Sequence, residues 1–283
     1  MQRSFTRFIG VDLGGGRGKT SAVAELRLSR SGTAEVMEVA VRATGQPWTD
    51  EVMLQRLAEG GPDTVVAIDA PLTPPACSRC VLPACPGMMA CVDPAVEWLR
   101  TEGRALVRVA ARAAAGTSSA GATETFGLAG TSARLAPYLH RATDVAITYG
   151  RGLLPLSALG ASNGTIAARA SQLRRRLAAS GYQLHVNLIE VSPQATIGAL
   201  FDPRTARGYK RDADPWRTRA LVLERLTELS FAPQSRMARE DVLQNDHCFD
   251  AVISAYTAYL WARDGWAPPP GPFAADGWIY APP

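Results

Sequence analysis

Short apolar or alternating runs, each closed by a turn, dominate the first quarter of the chain. Alternation with period two is typical of strands with one buried face, and a continuous apolar run is typical of a strand buried on both faces. The patterns predict four strands, at residues 8–13, 20–28, 34–41 and 64–69, and one helix at residues 52–58. Because the first three strands follow one another closely, we expect an antiparallel meander. The helix then allows a crossover to a fourth strand with a parallel neighbour.

The remainder of the chain is mainly helical in pattern. Apolar positions at helical spacing, with capping residues at their ends, predict five helices and one further strand. The helices are expected at residues 94–115, 165–179, 194–200, 215–229 and 239–263, and the strand at 184–191. Residues 116–130 are rich in Gly, Ser, Thr and Ala, which predicts a loop. The expected fold class is therefore α/β, with a mixed five-stranded sheet of three antiparallel strands followed by parallel strands.

No internal repeat and no clear linker divide the sequence. We therefore expect a single domain over residues 1–265. This domain would carry a Cys-rich insertion at 73–91 and a helical insertion at 93–180. Residues 266–283 are rich in proline, which predicts an extended C-terminal strap.

Composition narrows the class of protein. With 47% hydrophobic and 20% charged residues, the chain of 283 residues is too apolar for disorder and long enough for a large core. No uncharged apolar run approaches the roughly 18 residues of a membrane span, and the N-terminus runs into a strand without a secretory signal. We expect a cytoplasmic protein with no membrane partner.

The basic residues are unusual in kind, since only Lys19 and Lys210 among the 30 are lysines. Arginine suits phosphate binding because its planar fork matches phosphate geometry. An Arg- and Ala-rich genome explains the same bias. The net charge of +4 is mild, so charge alone does not decide whether nucleic acid is a partner.

Acids at strand ends are the main candidates for chemistry. Asp12 and Asp69 close two buried-looking strands, and Glu190 occupies the same kind of position on strand 184–191. Open α/β sheets bind ligands at the C-terminal edge of their strands, and a buried carboxylate is costly unless it is paired or metal-bound. Three such acids on separate strands favour a converging site over three unrelated buried acids.

The last predicted helix adds a second group of titratable side chains. Asp246 and Asp250 lie one turn apart on it, and His247 precedes Asp250 by three residues. Asp246 also fits a structural role as an acid that stabilises a helix N-terminus. Asp12, Asp69 and Asp250 together would supply carboxylates for a hard divalent ion, Mg²⁺ or Mn²⁺. Such an ion can activate water and stabilise the leaving oxygen of a phosphodiester.

The glycine-rich segment 14–20 does not match a Walker-type phosphate loop. That motif requires glycine where Leu13 stands, and it leads into a helix rather than a strand. The segment 12–16 does resemble the phosphate loop of the actin-like ATPase superfamily, so an ATP-binding protein is the alternative function. Residues 141–144 and 208–211 either face a phosphate-bearing substrate or belong to an ordinary polar surface.

Four cysteines form the second candidate constellation. Cys77, Cys80, Cys85 and Cys91 lie within fifteen residues of a proline-rich segment. As thiolates they can wrap a metal, and disulfides are not expected in a reducing compartment. Zn²⁺ is the first expectation and an iron–sulfur cluster the second, with four unligated thiols as the alternative. A further hypothesis is that the protein is a non-catalytic scaffold organised by this site.

The acid-bearing segments, taken in order, resemble domain-of-unknown-function family 429, whose members are known as predicted nucleases of RNase H-like fold. The segments that carry the resemblance are residues 9–12, 67–71, 189–193 and 247–251. The resemblance runs from about residue 8 to residue 263. It implies an RNase H-like three-layer α/β/α fold and a metal-dependent nuclease acting on nucleic acid.

The resemblance also implies roles for individual residues. Asp12, Asp69 and Asp250 correspond to the metal-binding acids of the wider fold, while Glu190 has no equally secure equivalent there. His247 matches a position that Holliday-junction resolvases fill with Asp or His, three residues before the last Asp. We expect His247 to carry a proton or bind metal, with Glu190 and Asp246 in support of the site.

Overall fold

The structure is a computed structural model and describes residues 4–15, 20–116, 135–153, 163–233, 235 and 239–283. Apart from Gly116, the predicted loop at 116–130 lies outside the described residues.

The described residues form nine strands and eleven α-helices. The strands are β1 (Arg7–Asp12), β2 (Ala22–Leu28), β3 (Ala34–Ala40), β4 (Arg42–Ala43), β5 (Gln46–Pro47), β6 (Thr64–Asp69), β7 (Leu188–Val191), β8 (Leu229–Phe231) and β9 (Ile279–Tyr280). The helices are α1 (Asp50–Ala58), α2 (Pro94–Trp98), α3 (Arg104–Gly116), α4 (Ala142–Val145), α5 (Gly164–Ala179), α6 (Pro193–Leu200), α7 (Pro203–Arg211), α8 (Pro215–Arg225), α9 (Arg239–Gln244), α10 (Asp246–Asp264) and α11 (Phe273–Asp276).

In the described part of the chain, seven strands form one mixed sheet in the order β8-β3-β2-β1-β6-β7-β9. β2 is antiparallel to both of its neighbours, and every other neighbouring pair is parallel. The α/β class and the meander β1-β2-β3 agree with the prediction, but the expected number of five strands is wrong. The two additional strands, β8 and β9, lie at the sheet edges. They are three and two residues long, too short for a periodic pattern to reveal.

Helices cover both faces of this sheet, which gives three layers. Alternate residues of a strand point to opposite faces, so Phe8 and Val65 pack in one apolar cluster with α6, α7, α8 and α10. Ile9 and Val66 pack in the second cluster with α1 and α5. Of the helices that the structure describes, none combines the length and the apolar character needed to cross a membrane.

Several element boundaries differ from the sequence prediction. The helix expected at 239–263 is two helices, because Asn245 has extended backbone and caps α10. The helix expected at 215–229 ends at Arg225, and the chain then enters β8. The helix expected at 94–115 contains a π-helical turn at Leu99–Gly103 between α2 and α3. Each change occurs at a cap or turn, where local hydrogen bonds override periodicity.

The C-terminal segment 266–283 is part of the packed structure and is not extended throughout. It contains α11, and β9 then adds to the edge of β7. The Asp276 side chain is fully buried, where it accepts a hydrogen bond from the Ala142 N–H (2.7 Å) and pairs with Arg79 (2.8 Å). These contacts tie the segment to α4 and to the loop that follows β6.

Candidate functional site

Three aspartates meet at the C-terminal edge of the sheet. Asp12 and Asp69 are the last residues of the parallel strands β1 and β6 and stand directly abreast in the register. Both lie on the sheet face that α10 covers, because they alternate in step with Phe8 and Val65. Asp250 joins them from α10. Among the described residues, these three form the one group of three or more metal-ligating side chains whose ligand atoms all lie within 4.8 Å of one another.

The close approach of α10 to β1 brings Asp250 to the strand ends. Gly10 provides the space, because a Cβ there would lie 2.1 Å from the Ala251 carbonyl oxygen and 2.3 Å from the Ala255 nitrogen. The helix begins where the Asn245 side chain accepts hydrogen bonds from the N–H groups of His247 and Cys248. Gly10 therefore allows α10 to pack close to β1, and Asn245 fixes the residue at which α10 begins.

Asp250 has one satisfied and one unsatisfied oxygen. Its side chain is 1% exposed, and Oδ2 lies 2.5 Å from the ammonium nitrogen of Lys210. Oδ1 is buried and makes no hydrogen bond of normal geometry, although the Tyr209 hydroxyl lies close enough to lower the pKa of Asp250. Burial raises the pKa of Asp250 to about 6, although the Lys210 charge opposes the rise. A buried carboxylate oxygen without a normal hydrogen bond is the kind of atom that a bound cation would satisfy.

The pKa of Asp69 is also shifted by burial and by the neighbouring carboxylates. Burial raises the pKa of its carboxyl well above the ordinary value, and the negative charges of Asp250 and Asp12 raise it further. Carboxylates so close together cannot all ionise without a compensating cation. The donor set is all-oxygen, which suits Mg²⁺ or Mn²⁺.

His247 lies beside the group and bonds to one of its members. Its Nδ1 is 2.6 Å from Oδ2 of Asp12, and this hydrogen bond raises the pKa of the imidazole. The ring is 43% exposed. A surface cleft of about 500 Å³ adjoins it, lined by residues that include His247, Asp246 and Asp241. Asp246 thus lines the cleft and is not one of the three clustered acids.

Glu190 is not brought into the group of aspartates. It pairs in the register with Ile68 and therefore points to the opposite face of the sheet from Asp69. There both carboxylate oxygens accept hydrogen bonds from the guanidinium of Arg141, at 2.6 and 2.7 Å, and the Leu72 N–H adds a third. Arg141 is fully buried and also pairs with Asp144. The segment 141–144 is therefore interior and does not face a substrate.

A family model described as a protein of unknown function, DUF429, matches residues 10–275. The chain belongs to the DUF429 family. This match confirms the family resemblance of the acid-bearing segments. No curated protein and no solved structure gives a significant match to the DUF429 chain.

An arginine organises the turn that follows Asp12 in the DUF429 chain. Arg169 of α5 donates to the Gly14 carbonyl (2.7 Å) and to the Ser21 hydroxyl (3.1 Å), and it pairs with Asp50 of α1. These bonds fix the first part of the turn beside the clustered acids. The rest of the glycine-rich segment, residues 16–19, lies outside the described residues.

The four cysteines of the DUF429 chain lie on the loop between β6 and α2. None of them forms a disulfide; Cys77, Cys80 and Cys85 are exposed, and Cys91 is partly exposed. Partial burial raises the pKa of Cys77, and the three neighbouring thiols raise it further. The thiols are thus close enough to interact, although the described thiols do not reach the mutual 4.8 Å spacing of the aspartates.

Sequence reasoning did not single out Lys210 as a site residue. It lies in the segment 208–211, for which a phosphate-facing and an ordinary surface role stayed open, and the structure places it against Asp250. The neighbouring Tyr209 is buried, and burial together with the Asp250 charge raises the pKa of its hydroxyl. The rarity of lysine in this DUF429 chain is the one sequence signal that distinguishes Lys210.

Proposed function

We propose that the protein is a metal-dependent nuclease of RNase H-like fold that hydrolyses phosphodiester bonds in nucleic acid. The observation that carries the proposal is the trio Asp12, Asp69 and Asp250, with ligand oxygens within 4.8 Å of one another and a buried Oδ1 on Asp250 that makes no hydrogen bond of normal geometry. Family membership is compatible with this activity, but the family description names none. The five central strands in the order β3-β2-β1-β6-β7, with β2 antiparallel, support the RNase H-like assignment.

The aspartate trio would hold Mg²⁺ or Mn²⁺. Bound there, a divalent ion supplies a water of lowered pKa and stabilises negative charge on phosphate oxygens. The residues fit this group because all three donors are carboxylates, and two of them have raised pKa values that a cation would lower. Lys210 and His247 now supply the positive charge beside Asp250 and Asp12.

The chain's own side chains would then orient the substrate and move protons. Lys210 is 36% exposed beside Asp250, and its ammonium group would offer positive charge to an anionic backbone. His247 holds a proton on Nδ1 against Asp12, and its raised pKa favours the charged imidazolium beside the cleft. An acid in that position is suited to protonate a leaving oxygen.

The test is cleavage of single-stranded, duplex and hybrid nucleic acids by the purified chain with Mn²⁺. We expect Asp12→Asn to reduce metal-dependent cleavage by about 100-fold or more while the far-ultraviolet circular dichroism is unchanged, because a metal ligand is lost. The matched control is Asp264→Asn, at the far end of α10, which should retain activity.

Undiminished cleavage by Asp12→Asn would contradict the proposal, since the trio would then not perform the chemistry. Calorimetry with ATP and Mg²⁺ tests the alternative function. Micromolar binding of ATP without cleavage of any nucleic acid would replace the nuclease by an ATP-binding protein.

A further inference from the structure

A second metal site is indicated on the loop that joins β6 to α2. We propose that Cys77, Cys80, Cys85 and Cys91 bind a metal centre through four thiolates, either a single Zn²⁺ ion or an iron–sulfur cluster. This inference does not rest on the nuclease proposal, because the residues, the ligand chemistry and the measurements are different.

Apolar packing in the loop is confined to its ends, where Ala76, Met88 and Cys91 contact Ala95 and Val96. Residues 80–87 are all exposed, and among them Val81 is 93% exposed. Its regular structure is limited to a short 3₁₀ turn at Ala76–Arg79. A loop of this length loses conformational entropy when it orders and gains little from burial here. A metal cross-link can supply the free energy that orders such a segment.

Both ends of the loop are nevertheless anchored. Near the first end, Arg79 pairs with Asp276 (2.8 Å), and the Cys77 N–H donates to the Pro137 carbonyl (3.2 Å). At the second end, the Arg100 guanidinium donates to the Cys91 carbonyl (2.9 Å), as well as to two carbonyls just before it. The end positions that carry Cys77 and Cys91 are therefore fixed, while the exposed tip that carries Cys85 has few contacts to break if it moves.

At the tip, Cys85 accepts a backbone hydrogen bond of the kind that metal-bound thiolates accept. The backbone N–H of Gly87 donates to Sγ of Cys85 at 3.4 Å. This geometry uses a positive φ of 80° at Gly87, which glycine adopts without the strain of a side chain. A neutral thiol is a weak acceptor, whereas hydrogen bonds from the backbone stabilise a metal-bound thiolate.

The separation of the thiols distinguishes the two metal centres. With Zn–S bonds of about 2.3 Å, a tetrahedral site requires sulfurs about 3.8 Å apart, closer than the described thiols lie as a group. Binding of Zn²⁺ therefore requires the loop to bring the thiols closer together. An iron–sulfur cluster distributes its thiolates over several irons and tolerates a wider spacing.

The experiment is metal and acid-labile sulfide analysis of the full chain, purified both aerobically and anaerobically. We expect about one zinc per chain, or iron with a matching amount of sulfide, and a loss of most of that metal in Cys85→Ser. Cys248→Ala is the matched control, because it removes the fifth cysteine, which is buried in α10, and leaves the loop intact. Asp12→Asn should also keep the metal, which separates this site from the aspartate trio.

Reconstitution with Co²⁺ provides a second readout that does not depend on activity. Tetrahedral thiolate coordination gives intense visible and sulfur-to-metal charge-transfer bands, which should be absent in Cys85→Ser and present in Cys248→Ala. Because Cys85 is exposed, Cys85→Ser should keep its circular dichroism spectrum. The proposal is overturned by equal metal contents in all variants. It is also overturned if the chain contains no metal and fails to bind Co²⁺, Zn²⁺ or iron with sulfide, or if the four cysteines are recovered as disulfides.

Discussion

At the scale of residues, the charges around the trio predict how the protein responds to pH. Asp250 has a pKa of about 6 in the folded chain, above its ordinary value of 3.8. The folded state therefore binds this proton more tightly than the unfolded state. The resulting stability is fully present below the ordinary pKa and is lost as the pH rises through about 6. Asp69 shifts in the same direction.

We expect the metal-free protein to lose this contribution to its free energy of unfolding between about pH 4 and pH 7. Urea unfolding in EDTA at several pH values would measure the slope, and Asp250→Asn should flatten it because the titrating group is gone. Mn²⁺ should raise the melting temperature more at pH 7 than at pH 5, since metal competes with protons. Identical slopes for the wild type and Asp250→Asn would contradict the assignment.

Glu25 on β2 predicts the opposite sign. It is buried among arginines, with 2.7 Å to Arg7 and 2.6 Å to Arg56. Burial alone would raise its pKa, but the hydrogen bonds from Arg7 and Arg27 lower it to about 2. This stability is present above the ordinary pKa near 4.5 and is lost as the pH falls toward 2.

Glu25→Gln should therefore reduce the free energy of unfolding by about 2 kcal/mol at pH 7, with a smaller difference at pH 3. Chemical denaturation at both pH values measures this. Glu51→Gln is the control, because that exposed side chain should contribute little. A difference that is equal at the two pH values would argue against the titration of Glu25.

At the scale of elements, the contact between β1 and α10 controls the trio. Gly10→Ala should destabilise the protein by about 3 kcal/mol or more and weaken Mn²⁺ binding, because the added methyl group forces the helix and Asp250 away from the strand. Thermal unfolding and metal titration would measure both effects. Gly164→Ala is the matched control, since a Cβ there meets nothing within 4 Å. An unchanged metal affinity in folded Gly10→Ala would separate the helix position from the site.

The sequence predicts elements well where burial is periodic. Asp12 and Asp69 could be placed at the ends of strands because an apolar run ends at each of them. The sequence pattern also places Glu190 near the end of a strand, but it does not show on which face of the sheet the side chain lies. Register decides that Glu190 stands beside Ile68, and register depends on tertiary pairing that one strand pattern does not contain.

Other features arise only from contacts between distant segments. The pairing of Lys210 with Asp250 joins α7 to α10 and has no local signal beyond the residue type. The break at Asn245 depends on a side-chain cap inside a continuous helical pattern. The edge strands β8 and β9 exist because longer strands offer them free backbone groups.

At the scale of the whole molecule, the C-terminal segment completes the core. Its side chains Phe273, Trp278, Ile279 and Tyr280 are buried. A chain lacking residues 266–283 should lose cooperative unfolding and near-ultraviolet circular dichroism, because these aromatic contacts and one sheet edge are removed. Substitution of the exposed Trp216 by Ala is the control, with little expected effect on thermal unfolding. A truncated chain with the native melting temperature would show that the segment is dispensable.

The order of the strands has a consequence for biosynthesis. The two edges of the sheet are closed by β8 and β9, which follow the inner strands in the sequence. A nascent chain therefore displays the open edge of β7 until residues 279–280 leave the ribosome, and unpaired edges invite aggregation. The third aspartate also arrives late, on α10. The acidic site therefore cannot assemble until the ribosome has released α10, which contributes Asp250.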